Sequence, residues 1–377
     1  MSETLQRVFA SLWRSVAGRE PYDIGMLIGQ EMLHLMQLRP GPAGPVILAA
    51  SSISHESSRD DLIADPLRLK SLIKRAFAEQ PFHGNRVVTC LPSDHVRMLL
   101  LNYTVAEGAS ESDSVIRELR ERVHEELDGM VVDFIPVRQE HPSPSKEAIV
   151  AMAARNKVMD YLDMMSRAGL QVTALDVVPI ALARLMSWIN AAETTAFPNL
   201  LLINFGSLSS YLTVIWGRRL MLDRPVEFSE QRLLSRLKNI LDIAEPEGMH
   251  LLLEHGLGTS AESDDGKEIS HTLKEVLRPE FAALKAEVNK TLVYTASRTH
   301  GRSIDGIYVV GSIAHYPGIH DLLREQFSVP PKILDPCSIF EHHLTDKELS
   351  WLRPHSGVAA AAGLALRGVP ILWPTSI

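Results

Sequence analysis

The residues best placed to do chemistry are the small ones at three tight turns. The run LLINFGSLSSYLTVIW, residues 201–216, is apolar, turns at Phe205-Gly206-Ser207, and resumes with β-branched and aromatic residues. That pattern predicts a β-hairpin. Gly206, Ser207 and Ser209 in its turn carry the N–H and O–H donors that an anion requires. A second turn centres on Gly29 within YDIGMLIGQEMLHLMQL, residues 22–38. A third candidate pair, Gly311-Ser312, closes the predicted strand IDGIYVVGS. The same residues serve equally as ordinary turn residues, with glycine supplying positive φ.

Other reactive side chains offer less. His342 and His343 sit in EHHLTDKE, residues 341–348. Adjacent histidines point to opposite sides of an extended chain, so the stretch reads as a solvated loop rather than a metal site. Asp176 ends a predicted strand, has no evident partner, and reads as a cap for the next helix. Cys90, inside the apolar run NRVVTCLP, reads as an inert core thiol. No H-E-x-x-H, Walker A, G-x-S-x-G or G-x-G-x-x-G motif is present.

The elements that must carry these turns are those of a soluble, multidomain chain. The 377 residues are 45% hydrophobic and 22% charged, with a net charge of −8. That charge gives no reason to expect nucleic-acid binding. Two cysteines cannot build a disulfide framework and suit a reducing compartment. No apolar run approaches the roughly 20 residues that span a bilayer, and the N-terminus shows no signal pattern. Instead Leu5, Val8, Phe9, Leu12, Trp13 and Val16 fall on one helical face. This helix either docks on the body or lies in a membrane interface, where a second anchor would be needed.

Strands are predicted at Val46–Ser52, 85–92, 131–139, 147–154 and 171–178, and helices at 65–80, 115–130, 155–170 and 179–190. Asp65 and Pro66 give the first helix its cap and first turn. Residues 106–114 read as a polar break and HPSPS, 141–145, as a turn. Past the second hairpin, helices are predicted at 229–241, 247–257, 274–298 and 318–327, with a surface loop at 259–268. GVAAAAGLALRG predicts a small-residue helix that can pack closely. Two regions thus each begin with a glycine-turn hairpin, an internal duplication of architecture.

The blocks, in order, resemble those of PilM, the actin-like protein of type IV pilus assembly, and more distantly the cell-division protein FtsA. IGMLIGQEMLHLMQL is similar to the family's opening G-I-D-I-G hairpin, and LLINFGSLSSYLTVI to its second D-I-G-A-x-S-T hairpin. MDYLDMMSRAGLQVTALDVVPIALAR and IYVVGSIAHYPGIHDLLREQFSVPPKILDP resemble the segments expected between and after these hairpins, and GLALRG resembles the end of the last helix. The resemblance implies an α/β actin-like ATPase fold, two duplicated domains around a cleft. It places a first domain at 21–97 and 169–198 plus the C-terminal helix at 350–377. An inserted subdomain of the FtsA and PilM type falls at 98–168, a second domain at 199–349, and the amphipathic segment at 1–20.

In the family, aspartates near the phosphates hold Mg²⁺; they align with Leu27 and Asn204, a glutamate aligns with Val178, and a glycine with Ser312. Mg²⁺ demands hard oxygen in octahedral geometry, which leucine and valine cannot give. The expected nucleotide site is therefore degenerate, formed by Gly29, Asn204, Gly206, Ser207, Ser209, Gly311 and Ser312, with no catalytic residue, no metal and no cofactor. The implied function is a cytoplasmic scaffold peripheral to the inner membrane. It would bind the N-terminal tail of a PilN-like single-pass protein, in a groove lined by residues 147–154, 155–168 and 85–92. Membrane contact through residues 1–17 and self-association are further expectations. The rival readings are an ATPase whose ATP·Mg state regulates the partner, and a sugar-kinase-type phosphotransferase, which lacks a suitable aspartate. The L-type protein of type II secretion is a cousin that normally continues into a transmembrane helix, and no such helix is read before Ile377.

Overall fold

The computed structural model describes residues 21–369, apart from 43, 107, 124–126, 138–144, 191–197, 218 and 259–263. The amphipathic stretch at 1–17 and most of the HPSPS turn lie outside the described residues. The chain opens with three antiparallel strands, β1 (Ile24–Ile28), β2 (Met32–Pro40) and β3 (Pro45–Ser54). Helix Pro66–Glu79 then leads to β4 (Arg86–Cys90), which pairs parallel to β1. The helix starts where it does because the Asp65 carboxylate accepts from the Leu67 and Arg68 amides, with proline at its first position. It buries Leu69, Leu72, Ile73 and Ala76, an i, i+3, i+4, i+7 stripe, against the sheet.

The chain next makes a three-stranded antiparallel sheet from β5 (Arg97–Thr104), β6 (Met130–Pro136) and β7 (Ser145–Ala154), with β7 central. Helix Glu111–Arg122 packs on one face of it. The polar break expected at 106–114 therefore holds the first turn of this helix, which ends well short of residue 130. The Ser110 hydroxyl accepts from the Asp113 amide, and Glu111 and Asp113 favour the positive helix end. Helix Arg155–Arg167 and β8 (Gln171–Asp176), parallel to β4, return the chain to the first sheet. Helix Val178–Asn190 leads out of it.

The second region repeats the plan with β9 (Leu200–Phe205), β10 (Ser210–Trp216), β11 (Arg219–Val226), β12 (Gly306–Gly311) and β13 (Pro331–Ile333). Its strand order, β11-β10-β9-β12-β13, reproduces β3-β2-β1-β4-β8, antiparallel and parallel pairings included. The duplication read from two hairpins is thus a duplication of whole sheets. Between β11 and β12, helix Asp264–Arg298 begins ten residues before the expected 274, so the loop expected at 259–268 is helical from 264. Leu273, Leu277, Phe281, Leu284 and Val288 carry its core face, which the polar composition of 264–268 conceals.

The EHHLTDKE stretch is not a solvated loop. Its first residues form β14 (Glu341–His342), which pairs with Val46 and Ile47 at the edge of the first sheet. Thr345 and Glu348 then build a capping box for helix Asp346–Leu352. A two-residue strand has no period to read, and its partner lies almost 300 residues away in sequence.

The last helix, Ser356–Ala365, is a wedge of small residues. A Cβ on Gly25 of β1 would lie 2.1 Å from the Ala361 carbonyl, and one on Gly363 would lie 2.0 Å from the Ala181 carbonyl. Backbone therefore meets backbone on both sides of this helix. Strand alternation sets what faces the middle of the molecule. Ile24, Met26 and Ile28 pack outward under helix Pro66–Glu79, so Leu27 faces inward. Leu201, Ile203 and Phe205 pack outward in the second region, so Asn204 also faces inward.

Candidate functional site

Two spaces bear on the expected sites. The first is a cleft of about 370 Å³ between the β1–β2 turn, the β9–β10 turn and residues 354–357. Gly29, Asn204, Gly206, Ser207, Ser209 and Ser312 all line it, as do Leu27 and Val178. Gly311 is absent from the lining; it has φ 108°, and a Cβ there would lie 2.0 Å from the Phe205 carbonyl. Gly29 and Gly206 owe their identity to close approach rather than positive φ, which neither has. A Cβ on Gly206 would lie 2.3 Å from the Ser209 carbonyl. The Gly29 amide donates to the Met32 carbonyl at 2.8 Å, so that donor is already used inside its own turn.

The charges of the cleft were not legible in the glycine pattern. Glu31, two residues past Gly29, and Glu230, at the start of helix Glu230–Leu241, both line it. Arg59 is buried and ion-paired to Asp94. His34 reaches in from β2, and its Nδ1 lies 2.9 Å from the Ser52 hydroxyl oxygen. Burial, followed by the nearness of His355 and His55, brings the His34 pKa down to about 3, so the ring is neutral at physiological pH. A Cβ on Gly357 would lie 2.1 Å from that ring, which packs directly against the last helix. Burial also lowers the His355 pKa. The cleft thus presents two carboxylates, neutral histidines and an arginine that is ion-paired to Asp94 but whose buried Nε has no hydrogen-bond partner.

The second space is a groove of about 550 Å³ between the three-stranded sheet and the first region. Its floor follows the cross-strand rows of that sheet: Met98, Ala151 and Asp133 stand side by side, with Ile149 and Ile135 next along. Leu91, Ala153 and Val158 line it too, so all three segments expected to form a groove do so. β6 contributes Val131, Asp133, Phe134 and Ile135 and is an edge strand, with one side of its backbone unpaired within the sheet.

The far wall of the groove corrects the reading of Asp176. Its carboxylate accepts from Arg184 at 2.8 Å and from Arg367 at 2.9 Å, and its side chain is 5% exposed. Val177, not Asp176, gives the first carbonyl of helix Val178–Asn190, accepting from the Ile180 and Ala181 amides. Arg184 also donates to the Gly363 carbonyl at 2.8 Å, tying that helix to the last one. These partners lie 8 and 191 residues from Asp176, beyond any local pattern. Cys90 is buried beside this cluster, and burial followed by the Asp176 charge raises its pKa.

Among the described residues, no helix is long and apolar enough to cross a membrane. Comparison with known proteins agrees with the topology. The family model of the type IV pilus assembly protein PilM matches residues 25–369. No curated protein sequence matches the chain. Among solved structures, the PilM-PilN type IV pilus biogenesis complex aligns with a TM-score of 0.71 at 20% identity, over 93% of this chain and 99% of that one. The ethanolamine utilization protein EutJ from Carboxydothermus hydrogenoformans gives 0.47 at 14% identity, over 93% and 92%. MreB 5 of Spiroplasma citri bound to AMPPNP gives 0.45 at 14% identity, over 91% and 94%. With its duplicated sheets, inserted sheet and intervening cleft, the chain has the actin-like ATPase fold and belongs to the family of the type IV pilus assembly protein PilM.

Proposed function

We propose that this protein is a non-hydrolysing scaffold of type IV pilus assembly that holds the N-terminal tail of a PilN-like membrane protein in the groove. The observation that carries the proposal is the groove itself, a floor that is apolar apart from Asp133, beside the edge strand β6. An extended peptide gains main-chain hydrogen bonds at such an edge and places alternate side chains on the floor. The similarity to a solved PilM-PilN complex supports the choice of partner. Binding a single-pass protein would in turn hold the scaffold at the inner membrane.

The cleft supports the non-hydrolysing part. Leu27, Val178 and Asn204 offer no carboxylate to Mg²⁺, while Glu31 and Glu230 oppose a polyphosphate.

The test is calorimetric titration of the full chain with the cytoplasmic tail peptide of a candidate PilN-like protein. Saturable binding that Ala151→Trp abolishes is the expected result, since a large ring at Ala151 fills the floor. Binding that survives Ala151→Trp in a folded protein places the tail elsewhere. Mg²⁺-dependent ATP turnover above a heat-killed control would overturn the non-hydrolysing reading.

A further inference from the structure

A third cavity, of about 320 Å³, lies between the N-terminal end of helix Val178–Asn190 and the inward face of the second sheet. Its two walls differ sharply. The first-region wall is largely apolar, with Val96, Met98, Val178, Pro179 and Leu182. The sheet wall carries Asn204, Tyr211, Thr213 and Asp223, which strand register sets on one face.

The polar groups on that wall include two acceptors with too few donors. The Asn204 Oδ1 atom is buried and has no hydrogen-bond partner. The Asp223 carboxylate accepts from the Thr213 hydroxyl at 2.6 Å, its sole partner among the described residues. No cation lines the cavity, and Tyr211 is its one other titratable group among the described residues. Arg224, the neighbour of Asp223 in sequence, points to the opposite face and pairs with Glu287. Withdrawal from water raises the Asp223 pKa to about 6. A carboxylate left in this state costs the fold free energy that a cationic ligand would offset.

An apolar passage that ends in unmatched acceptors has the shape and chemistry of a long basic side chain. The methylene stem would lie on the apolar wall and the charged head would reach the acceptors. The passage adjoins the groove, because Leu91, Val96, Met98 and Val177 belong to the walls of both. We propose that this cavity receives one lysine or arginine side chain of the peptide held in the groove, with Asp223 as its counter-ion. This rests on the reading of the groove as the tail site and adds a specificity element to it. The partner is thereby a tail with a basic residue flanked by apolar ones, not merely an apolar strand.

The experiment titrates the full chain with the tail peptide and with versions in which each lysine or arginine is replaced in turn by norleucine. One norleucine peptide is expected to bind roughly tenfold more weakly, the scale of one lost charge-assisted hydrogen bond. Asp223→Asn should weaken the native peptide by a similar factor, and the two losses should not add when combined. Affinity of the unaltered pair should also fall from pH 8 to pH 5, while Asp223→Asn shows no such slope. If the native peptide binds Asp223→Asn as tightly as the original protein, or no norleucine peptide is impaired, this inference is overturned and the groove reading stands. If the native peptide does not bind at all, both fail.

Discussion

The cleft and the groove share Leu91 in their walls yet treat charge in opposite ways. In the groove, one aspartate is held by two arginines, and one of these also braces the last helix. In the cleft, Glu31 and Glu230 face a space whose arginine is already committed to Asp94 and whose His34 is neutral. The far wall of the groove is braced by this ion-pair cluster, while Asp133 stands exposed in the floor. On the reading proposed above, the cleft keeps the turns of a phosphate site and sets Glu31 and Glu230 against what such a site would hold. Selection on a scaffold would maintain the first and leave the second to drift.

The substitution with the largest expected effect breaks both sites together. Helix Ser356–Ala365 lines the cleft with Ser356 and Gly357 and leads into Arg367 of the groove. Gly363→Leu drives a side chain into the Ala181 carbonyl and should cost more than about 4 kcal/mol, or prevent folding. Thermal unfolding and soluble yield measure it; a protein of unchanged stability would mean that the wedge tolerates separation. Next comes Asp176→Ala, which strips two arginines of their partner and should cost about 3 kcal/mol in chemical denaturation. It should also lower tail-peptide affinity while leaving cleft chemistry unaltered, so equal loss at both sites would erase the contrast drawn above.

Asp223 sharpens the comparison from the space between. Its folded pKa of about 6 lies above the ordinary value of 3.8. The folded protein therefore holds this proton to higher pH than the unfolded chain does. The resulting penalty is absent below the unfolded pKa, grows between the two values and is complete above about 6. Asp223→Asn should then stabilise the free protein by up to about 3 kcal/mol at neutral pH, a gain that vanishes as pH falls toward 3.8. Denaturation curves across that range check it, and a gain that persists at low pH would refute it. The smallest expected effect is at the cleft. Leu27→Asp combined with Asn204→Asp should leave Mg²⁺-dependent ATP turnover at background, because Val178 and Glu31 still line the space. Turnover in that double variant would show that two carboxylates suffice to revive the site.

What could be read in the sequence follows from the range of each signal. Both glycine turns, the Asp65-Pro66 helix start and the small-residue helix are local, and the structure shows each of them. The inward direction of Leu27 and Asn204 is also a period-two fact, present once the strands are placed. Glu31 was visible beside Gly29 but carries no meaning until the turn is known to face Glu230. The Asp176 cluster, β14 and the His34 contact with Gly357 join residues hundreds apart in two cases, and no local rule reaches them. The early start of helix Asp264–Arg298 was hidden by a polar first turn, where exposure and not secondary structure decides composition.

The placement of β14 and the last helix has a consequence for the order of synthesis. All five strands of the second sheet are available once residue 333 has left the ribosome. The first sheet began at residue 24, yet it still lacks its edge strand and the wedge against Gly25. The first sheet, whose strands are made first, is therefore the one whose pairing is completed last. A chain released after residue 340 should be cut by protease within the first sheet faster than the full chain is. Until the last helix emerges, the core around Met36, Leu38 and Leu182 lacks Val358 and the alanines that follow it, so some of the earliest residues made wait for the last ones to complete their packing.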